Sequence, residues 1–148
     1  MLGRLARWLR ILGYDTLYDP SLDDMALLKT ARADDRMLLT QDVALSRRRG
    51  ARTLYVPSHE PLQQLRQVIA DLRLRPSRAY SRCSVCNTAL VDATPEEIAR
   101  HVPAYVRRTY TLFRRCLQCG HVYWHGSHWR DMQRALGIAP APPDDGTR

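Results

Sequence analysis

The chain has 148 residues, 45% of them hydrophobic, which suits one medium-sized globular domain or two small ones. No stretch is apolar enough to span a bilayer, and arginines interrupt the first apolar residues, which excludes a signal peptide. The formal net charge is +8 and Lys29 is the sole lysine, so the positive charge is almost entirely arginine. Because arginine binds phosphate groups through paired hydrogen bonds, this charge favours a nucleic-acid partner. A genomic preference for arginine explains the Arg:Lys ratio but not the charge excess.

The first half of the chain alternates helix and strand patterns. Apolar residues at helical spacing over 2–12 predict a first helix, which Gly13 ends. A short strand is predicted over Tyr14–Tyr18, and Asp23 or Asp24 caps a second helix. The later elements are a buried strand over 36–40, a short helix around Leu45, a strand over 53–56 and an amphipathic helix over 62–72. This alternation predicts an α/β layer fold with a parallel sheet.

The second half contains all four cysteines. They form two Cys-x-x-Cys pairs, Cys83 with Cys86 and Cys116 with Cys119. Two such turns supply the four sulfur ligands of a closed tetrahedral site, so structural zinc is favoured over disulfides. This cysteine usage, without an export signal, indicates a reducing cytoplasm. Three histidines that follow the second pair are alternative ligands, although four cysteines already complete the site: His121, His125 and His128.

The remaining patterns complete the predicted domain organisation. Thr94-Pro95-Glu96-Glu97 has the sequence of a capped helix start, and a closing helix is predicted over 130–136. The tail from residue 139 is rich in proline, glycine and aspartate, which predicts disorder. We therefore expect an α/β domain over 1–76, a zinc ribbon with its closing helix over 77–137 and a disordered tail over 138–148, with Arg75-Pro76-Ser77 as the hinge.

Asp42 follows the predicted buried strand directly. Ligands of parallel sheets collect outside the carboxyl ends of the strands, so Asp42 is a candidate catalytic residue; the alternative is that it caps the next helix. Carboxylates beside a basic surface are typical of metal-dependent phosphodiester hydrolysis, since Mg²⁺ and Mn²⁺ prefer oxygen ligands and activate water. Such chemistry needs several convergent carboxylates.

The segment Leu2–Thr16 resembles the start of the Mut-seven C-terminal RNase domain family. The resemblance extends to about Leu136. It runs through Asp24 with Leu27-Leu28 and Ala31, Leu38-Leu39-Thr40-Gln41-Asp42, Gln64-Leu65, Ser81-Arg82-Cys83, Cys86-Asn87, Val102-Pro103, Cys116, Cys119-Gly120 and Tyr123–His128. The family joins a PIN-like nuclease fold to a zinc ribbon. The resemblance implies a PIN-like parallel sheet whose acidic residues bind Mg²⁺ or Mn²⁺ and cleave RNA.

The implied metal-binding acids are Asp42 and Asp24, with Asp23 as the alternative to Asp24 and Glu60 as a weaker candidate. Members of the family begin with a strand that ends in an aspartate, ahead of the segment matching Met1. Compared with them, this chain is N-terminally truncated and lacks one strand and one acid. A misassigned start is favoured over a catalytically impaired form, because the rest of the pattern is intact and a lost strand exposes its neighbours.

Basic residues suggest where RNA binds. Arg107-Arg108 and Arg114-Arg115 are expected on a ribbon strand with interleaved aromatics, either facing RNA or forming a solvated face. Tyr123, Trp124 and Trp129 are more typical of a small core beside a metal site than of base stacking. The predicted RNA-binding residues are Arg4, Arg7, Arg47, Arg48, Arg82, Arg114, His125 and His128.

The leading hypothesis is a metal-dependent ribonuclease with structural zinc. A second is a non-catalytic RNA-binding zinc-ribbon protein, because the first catalytic acid is absent. A third is an interaction protein whose charge is only compositional. Exposed sheet edges also predict a homodimer.

Overall fold

The structure is a computed structural model that describes residues 2–76 and 78–139. These residues form two compact units, 2–89 and 90–139. The predicted domain division after residue 76 stays a prediction. The predicted disordered tail lies, from residue 140 onward, outside the described residues. No helix in the described part of the chain is long and apolar enough to cross a bilayer.

The first unit places helices around a small parallel sheet, which confirms the mixed α/β class. Strands β1 (Met37–Thr40) and β2 (Arg52–Tyr55) pair in parallel, with Met37 opposite Arg52 and Thr40 opposite Tyr55. The connection between them runs through a short helix, as parallel strands require a crossover. The elements are α1 (Gly3–Ile11), α2 (Asp24–Ala33), β1 (Met37–Thr40), α3 (Val43–Ser46), β2 (Arg52–Tyr55) and α4 (Pro61–Asp71).

Helix α1 buries the apolar face that its periodicity predicts. Leu5, Ala6 and Leu9 are buried, and α1 packs against α4. Gly13 ends the turn after the helix with a φ of +95°, and a Cβ there would lie 2.3 Å from the Arg78 carbonyl oxygen. Only glycine fits this left-handed position and this close backbone approach, so the predicted helix end is confirmed.

The predicted strand over Tyr14–Tyr18 is wrong. The structure forms no strand there: Tyr14 donates its N–H back to the Leu9 carbonyl at 2.9 Å, and Thr16 donates its N–H to Asn87 Oδ1 at 3.0 Å. Within the described residues, the sheet therefore contains β1 and β2 alone. Val56 donates its N–H to the Thr40 carbonyl at 2.8 Å, so the backbone N–H and C=O of Thr40 point toward β2. Because successive residues of a strand direct their backbone groups to alternate sides, those of Leu39 point to the opposite, open edge of β1.

The second unit is built on short antiparallel strands. They are β3 (Val91–Asp92), β4 (Arg114–Arg115) and β5 (Val122–Tyr123), and β4 lies between the other two. The predicted helix start is confirmed as a reciprocal capping box, in which Thr94 Oγ1 accepts from the Glu97 N–H and Glu97 accepts from the Thr94 N–H. The elements are β3 (Val91–Asp92), α5 (Pro95–His101), α6 (Ala104–Thr109), β4 (Arg114–Arg115), β5 (Val122–Tyr123) and α7 (Ser127–Leu136).

The core of the second unit is apolar and partly aromatic. Phe113 packs with Val102 and Val106, and the Trp124 ring lies 6.1 Å from the Phe113 ring. Trp124 thus packs against this core, as the sequence favoured, and Trp129 is buried as well. The expected ribbon strand is partly wrong, because Arg107 and Arg108 lie in α6 and only the later arginine pair is in a strand.

Candidate functional site

The four cysteines gather into one cluster. The Sγ atoms of Cys83, Cys86, Cys116 and Cys119 all lie within 4.8 Å of one another, and they form no disulfide. A tetrahedral zinc with bonds of about 2.3 Å needs sulfurs separated by roughly 3.8 Å, so the cluster fits that ion. Among the described residues, no other group of three or more histidine, cysteine, aspartate or glutamate side chains is close enough to hold a metal. The predicted cysteine cluster is confirmed.

The first cysteine turn, residues 83–88, has the hydrogen bonds of a metal-binding knuckle. Cys86 donates its N–H to Cys83 Sγ at 3.3 Å, and Asn87 donates its N–H to the Cys83 carbonyl at 2.9 Å. An N–H donor at sulfur stabilises a thiolate ligand. Asn87 has a φ of +63°, a left-handed conformation that asparagine tolerates better than most residues.

The second cysteine turn repeats this arrangement. Gly120 occupies the position of Asn87, with a φ of +77°, and donates its N–H to the Cys116 carbonyl at 2.9 Å. His121 Nδ1 lies 3.0 Å from Cys119 Sγ, so this histidine supports a sulfur ligand. The cluster itself contains no histidine, and the His125 ring lies 5.7 Å from the Trp129 ring, tilted by 40°.

Arg10 supports the first cysteine turn, and our sequence analysis missed it. Its side chain is buried, with 8% exposure, and its Nη1 donates to the carbonyls of Val85 at 2.9 Å and Ser84 at 3.2 Å. Its Nε donates to the Thr16 carbonyl at 2.8 Å. Burial lowers the pKa of Arg10. A helical projection places Arg10 closer to the apolar face of α1 than Arg7, which is the available sequence signal.

The predicted catalytic carboxylates all lie at helix N-termini. Asp42 follows β1 and caps α3, where its Oδ1 accepts from the Leu45 N–H at 2.9 Å. Asp23 caps α2 by accepting from the Ala26 N–H at 2.8 Å, and Asp24 lies in the first turn of that helix. Glu60 precedes α4 without a capping hydrogen bond from its side chain. All four are exposed and lie outside any metal-binding group of the described residues, so their catalytic role stays a prediction.

Asp42 borders a cavity of about 900 Å³ in the first unit. The lining is mostly apolar and comes from α1, α2, β1 and the end of α4, with Leu5, Leu27, Leu39 and Leu72 among it. The open edge of β1 belongs to this lining. Of the four predicted catalytic residues, Asp42 alone lines the cavity. Asp15, Asp19 and Asp35 are the other acids of the lining, and no three of these carboxylates lie close enough together to hold a metal ion.

Glutamines join the loops at the carboxyl ends of the two parallel strands. Gln41 donates Nε2 to the Ser58 carbonyl at 2.9 Å, and Gln64 donates Nε2 to the same oxygen at 2.7 Å. Gln64 is almost completely buried, with 1% exposure. These bonds fix the loop after β2 against the residue that precedes Asp42.

Most predicted RNA-binding residues are on the surface. Arg82 differs, because it is half-buried and donates to the Asn87 carbonyl at 2.9 Å, which gives it a structural contact. Arg114 lies 3.9 Å from Asp92 as a weak ion pair. The exposed members are Arg4, Arg7, Arg47, Arg48, Arg114, His125 and His128. Their RNA contacts stay a prediction.

Comparison with curated proteins and with solved structures gives no match. Comparison with protein families gives a match, and it extends over both described units. The family model described as the Mut7-C RNAse domain matches residues 1–136 of the 148. The match includes both cysteine turns, β1 and Asp42. The chain therefore belongs to the Mut7-C RNase domain family.

Proposed function

We propose that this protein is a metal-dependent ribonuclease of PIN-like type, which hydrolyses RNA phosphodiester bonds. The observation that carries the proposal is Asp42, an exposed acid at the carboxyl end of a parallel strand in a chain of the Mut7-C RNase family. In this proposal residues 1–76 form the PIN-like domain, and residues 77–137 form a zinc ribbon that contacts RNA. Zinc is structural, because four cysteine ligands leave no open position for substrate.

Asp42 and Asp24 are the proposed ligands of Mg²⁺ or Mn²⁺. One oxygen of Asp42 is used for capping α3, which leaves the other for an ion. Magnesium sites commonly use one or two carboxylates and complete the shell with water and substrate phosphate, so two acids are compatible with binding in the presence of RNA. A divalent ion bound there would neutralise the phosphate and activate water. Asp23, already a cap, and Glu60 are weaker candidates.

The test is cleavage of single-stranded RNA with Mn²⁺ or Mg²⁺, compared with EDTA. We expect cleavage by the native chain and none by Asp42→Asn, which keeps an oxygen able to cap α3. Glu96→Gln is the control, because it removes an exposed acid in the second unit. Cleavage that survives both Asp42→Asn and EDTA would contradict the proposal.

A second candidate function is RNA binding without catalysis. It is favoured by one observation: the described carboxylates do not gather into a three-ligand site. In that case all variants bind RNA, the affinity falls steeply with salt, and no variant cleaves. A cytoplasmic location and a homodimer through exposed sheet edges also stay predictions; analytical ultracentrifugation tests the second.

A further inference from the structure

Asn87 connects the first cysteine turn to the segment after α1. Its Oδ1 accepts from the Thr16 N–H at 3.0 Å, and its Nδ2 donates to Asp15 Oδ1 at 2.7 Å. The two ends of one amide are thus committed to neighbouring residues that lie more than 70 positions earlier in the chain. Aspartate at position 87 could not donate, and glycine could do neither.

Asp15 also contacts Arg36, the residue that precedes strand β1. Its second carboxylate oxygen accepts from Arg36 Nη2 at 3.0 Å, and Arg36 Nε forms a 3.5 Å ion pair with Asp34 that lacks hydrogen-bond geometry. The Arg36 backbone N–H donates to the Ala31 carbonyl at 2.7 Å. Arg36 is therefore fixed at both its side chain and its backbone, and it directly precedes Met37, the first residue of β1.

The charge of Asp15 is stabilised by the same contacts. The hydrogen bond from Arg36 and then that from Asn87 lower the pKa of the Asp15 carboxyl. The Asp15 side chain is 42% exposed, so each ion-pair contact alone is weak. The buried Arg10 guanidinium adds to them, because it holds the Thr16 carbonyl and the two carbonyls of the cysteine turn together.

We propose that the first cysteine turn positions strand β1, and with it Asp42, through Asn87, Asp15 and Arg36. Metal binding by Cys83 and Cys86 would fix the turn in which Asn87 holds its left-handed conformation. When the turn loosens, Asp15 and Thr16 lose their hydrogen bonds to Asn87. The Asp15 carboxylate is then less firmly held, so its hydrogen bond to Arg36 fixes the start of β1 less well. Asn87 and Asp15 are positioning residues. The importance of Asp42 rests on the proposed ribonuclease function, but the coupling to β1 does not.

Hydrogen exchange of the full chain, with and without bound zinc, tests this coupling. We expect amides of residues 37–42 to exchange faster when zinc is removed, by on the order of fivefold, which corresponds to one net hydrogen bond. In Asn87→Gly with zinc bound, the same amides should already exchange at the faster rate. Glycine suits a φ of +63°, so this variant removes the side chain without straining the backbone.

Matched variants separate positioning from general loss of stability. Val85→Ala alters an exposed side chain of the same turn and keeps the carbonyl that Arg10 binds, so exchange in β1 should not change. Asn87→Asp should loosen β1, since it sets two carboxylates against each other. Adding Asp15→Asn restores an amide–carboxylate pair with reversed polarity and should recover part of the protection. Metal analysis confirms zinc in each sample; if Asn87→Gly loses zinc, Asp15→Asn alone is compared with the native chain.

The proposal is overturned if residues 37–42 exchange equally with and without zinc. It is also overturned if the zinc-loaded variant, Asn87→Gly or its substitute Asp15→Asn, exchanges like the native chain. These measurements use no RNA, so failure of the ribonuclease proposal would leave their outcome unaffected. If the native chain cleaves RNA, Asn87→Gly should lower kcat, and the double variant should recover part of it.

Discussion

The Asp42 carboxylate lies 2.9 Å from the Leu45 backbone nitrogen and accepts its hydrogen bond at the first turn of α3. The position of Asp42 after a buried strand is compatible with two roles, a helix cap or a catalytic acid. The structure shows the cap, which uses one oxygen and keeps the side chain exposed at the end of β1. Capping and metal binding are compatible, so the two roles have to be separated by substitution.

Asp42→Asn and Asp42→Ala should differ in stability. Asparagine caps helices about as well as aspartate, so Asp42→Asn should unfold at nearly the native urea concentration. Asp42→Ala leaves the Leu45 N–H without its partner and should lose about 1 kcal/mol of unfolding free energy. Equal losses in the two variants would show that the charge, rather than the hydrogen bond, stabilises α3.

Asp23 and Asp24 should also differ. The Asp23 side chain accepts from the Ala26 N–H, so Asp23→Ala should cost about 1 kcal/mol in urea unfolding. Asp24 lies in the first turn and is exposed, so Asp24→Asn should change stability by no more than about 0.5 kcal/mol. If Asp24 is a metal ligand, Asp24→Asn should also weaken Mn²⁺-dependent cleavage. A stability loss at Asp24 but not at Asp23 would contradict the observed cap.

The local patterns of the sequence predicted the elements that depend on local interactions. The periodicity of α1, the apolar run of β1 and the Thr94–Glu97 capping box all appear in the structure. The strand predicted over Tyr14–Tyr18 was wrong because the Thr16 N–H bonds to the Asn87 side chain. No local sequence pattern indicates a contact between residues so far apart in the chain. The cysteine spacing did identify the cluster, because each Cys-x-x-Cys pair forms its turn within a few consecutive residues and is therefore visible in the local sequence.

The sequence did not indicate the role of Arg10 for the same reason that the strand predicted over Tyr14–Tyr18 was wrong: both depend on contacts between residues far apart in the chain. An arginine at the edge of an apolar helix face usually extends to solvent, and nothing nearby in sequence shows that carbonyls of residues 84 and 85 surround Arg10. The carboxylates were identified one by one, whereas their convergence depends on the relative positions of α2, α3 and α4. Sequence position alone therefore could not decide whether they form a site.

Arg10→Met should weaken the first cysteine turn. Methionine keeps an apolar stem but removes the donors to the carbonyls of Thr16, Ser84 and Val85, and hydrogen bonds to a charged donor contribute about 1.5–3 kcal/mol. We expect a loss in that range in urea unfolding and faster zinc transfer to a chromogenic chelator. Arg7→Met is the control, because Arg7 is exposed on the same helix. Similar effects of the two substitutions would contradict a specific role for Arg10.

A mercurial thiol reagent should release one zinc ion per chain, detected with the same chelator. Cys83 and Cys116 are buried, whereas Cys119 is the most exposed of the four. Reaction should therefore begin at Cys119, which mass mapping of partially modified protein can show. Iron in place of zinc, or no metal in protein purified without chelators, would contradict the assignment of the cluster.

Tyr80 should make stability depend on alkaline pH. Burial raises its pKa to about 12, because the phenolate would be poorly solvated. The folded-state pKa lies above the ordinary value of 10, so between these values the folded chain binds the extra proton. The contribution to stability is therefore complete below pH 10 and is lost as the pH rises towards 12.

Tyr80→Phe should remove this part of the pH dependence, measured as unfolding free energy between neutral and alkaline pH. In a spectroscopic titration of the native chain, which has seven tyrosines, one should ionise near pH 12, and that step should be absent from Tyr80→Phe. If Tyr80→Phe kept the alkaline step, another group would be responsible. Tyr80 has a left-handed backbone, with a φ of +56°. Phenylalanine differs from tyrosine only by the hydroxyl group, so Tyr80→Phe adds no backbone strain and the comparison reports on the hydroxyl.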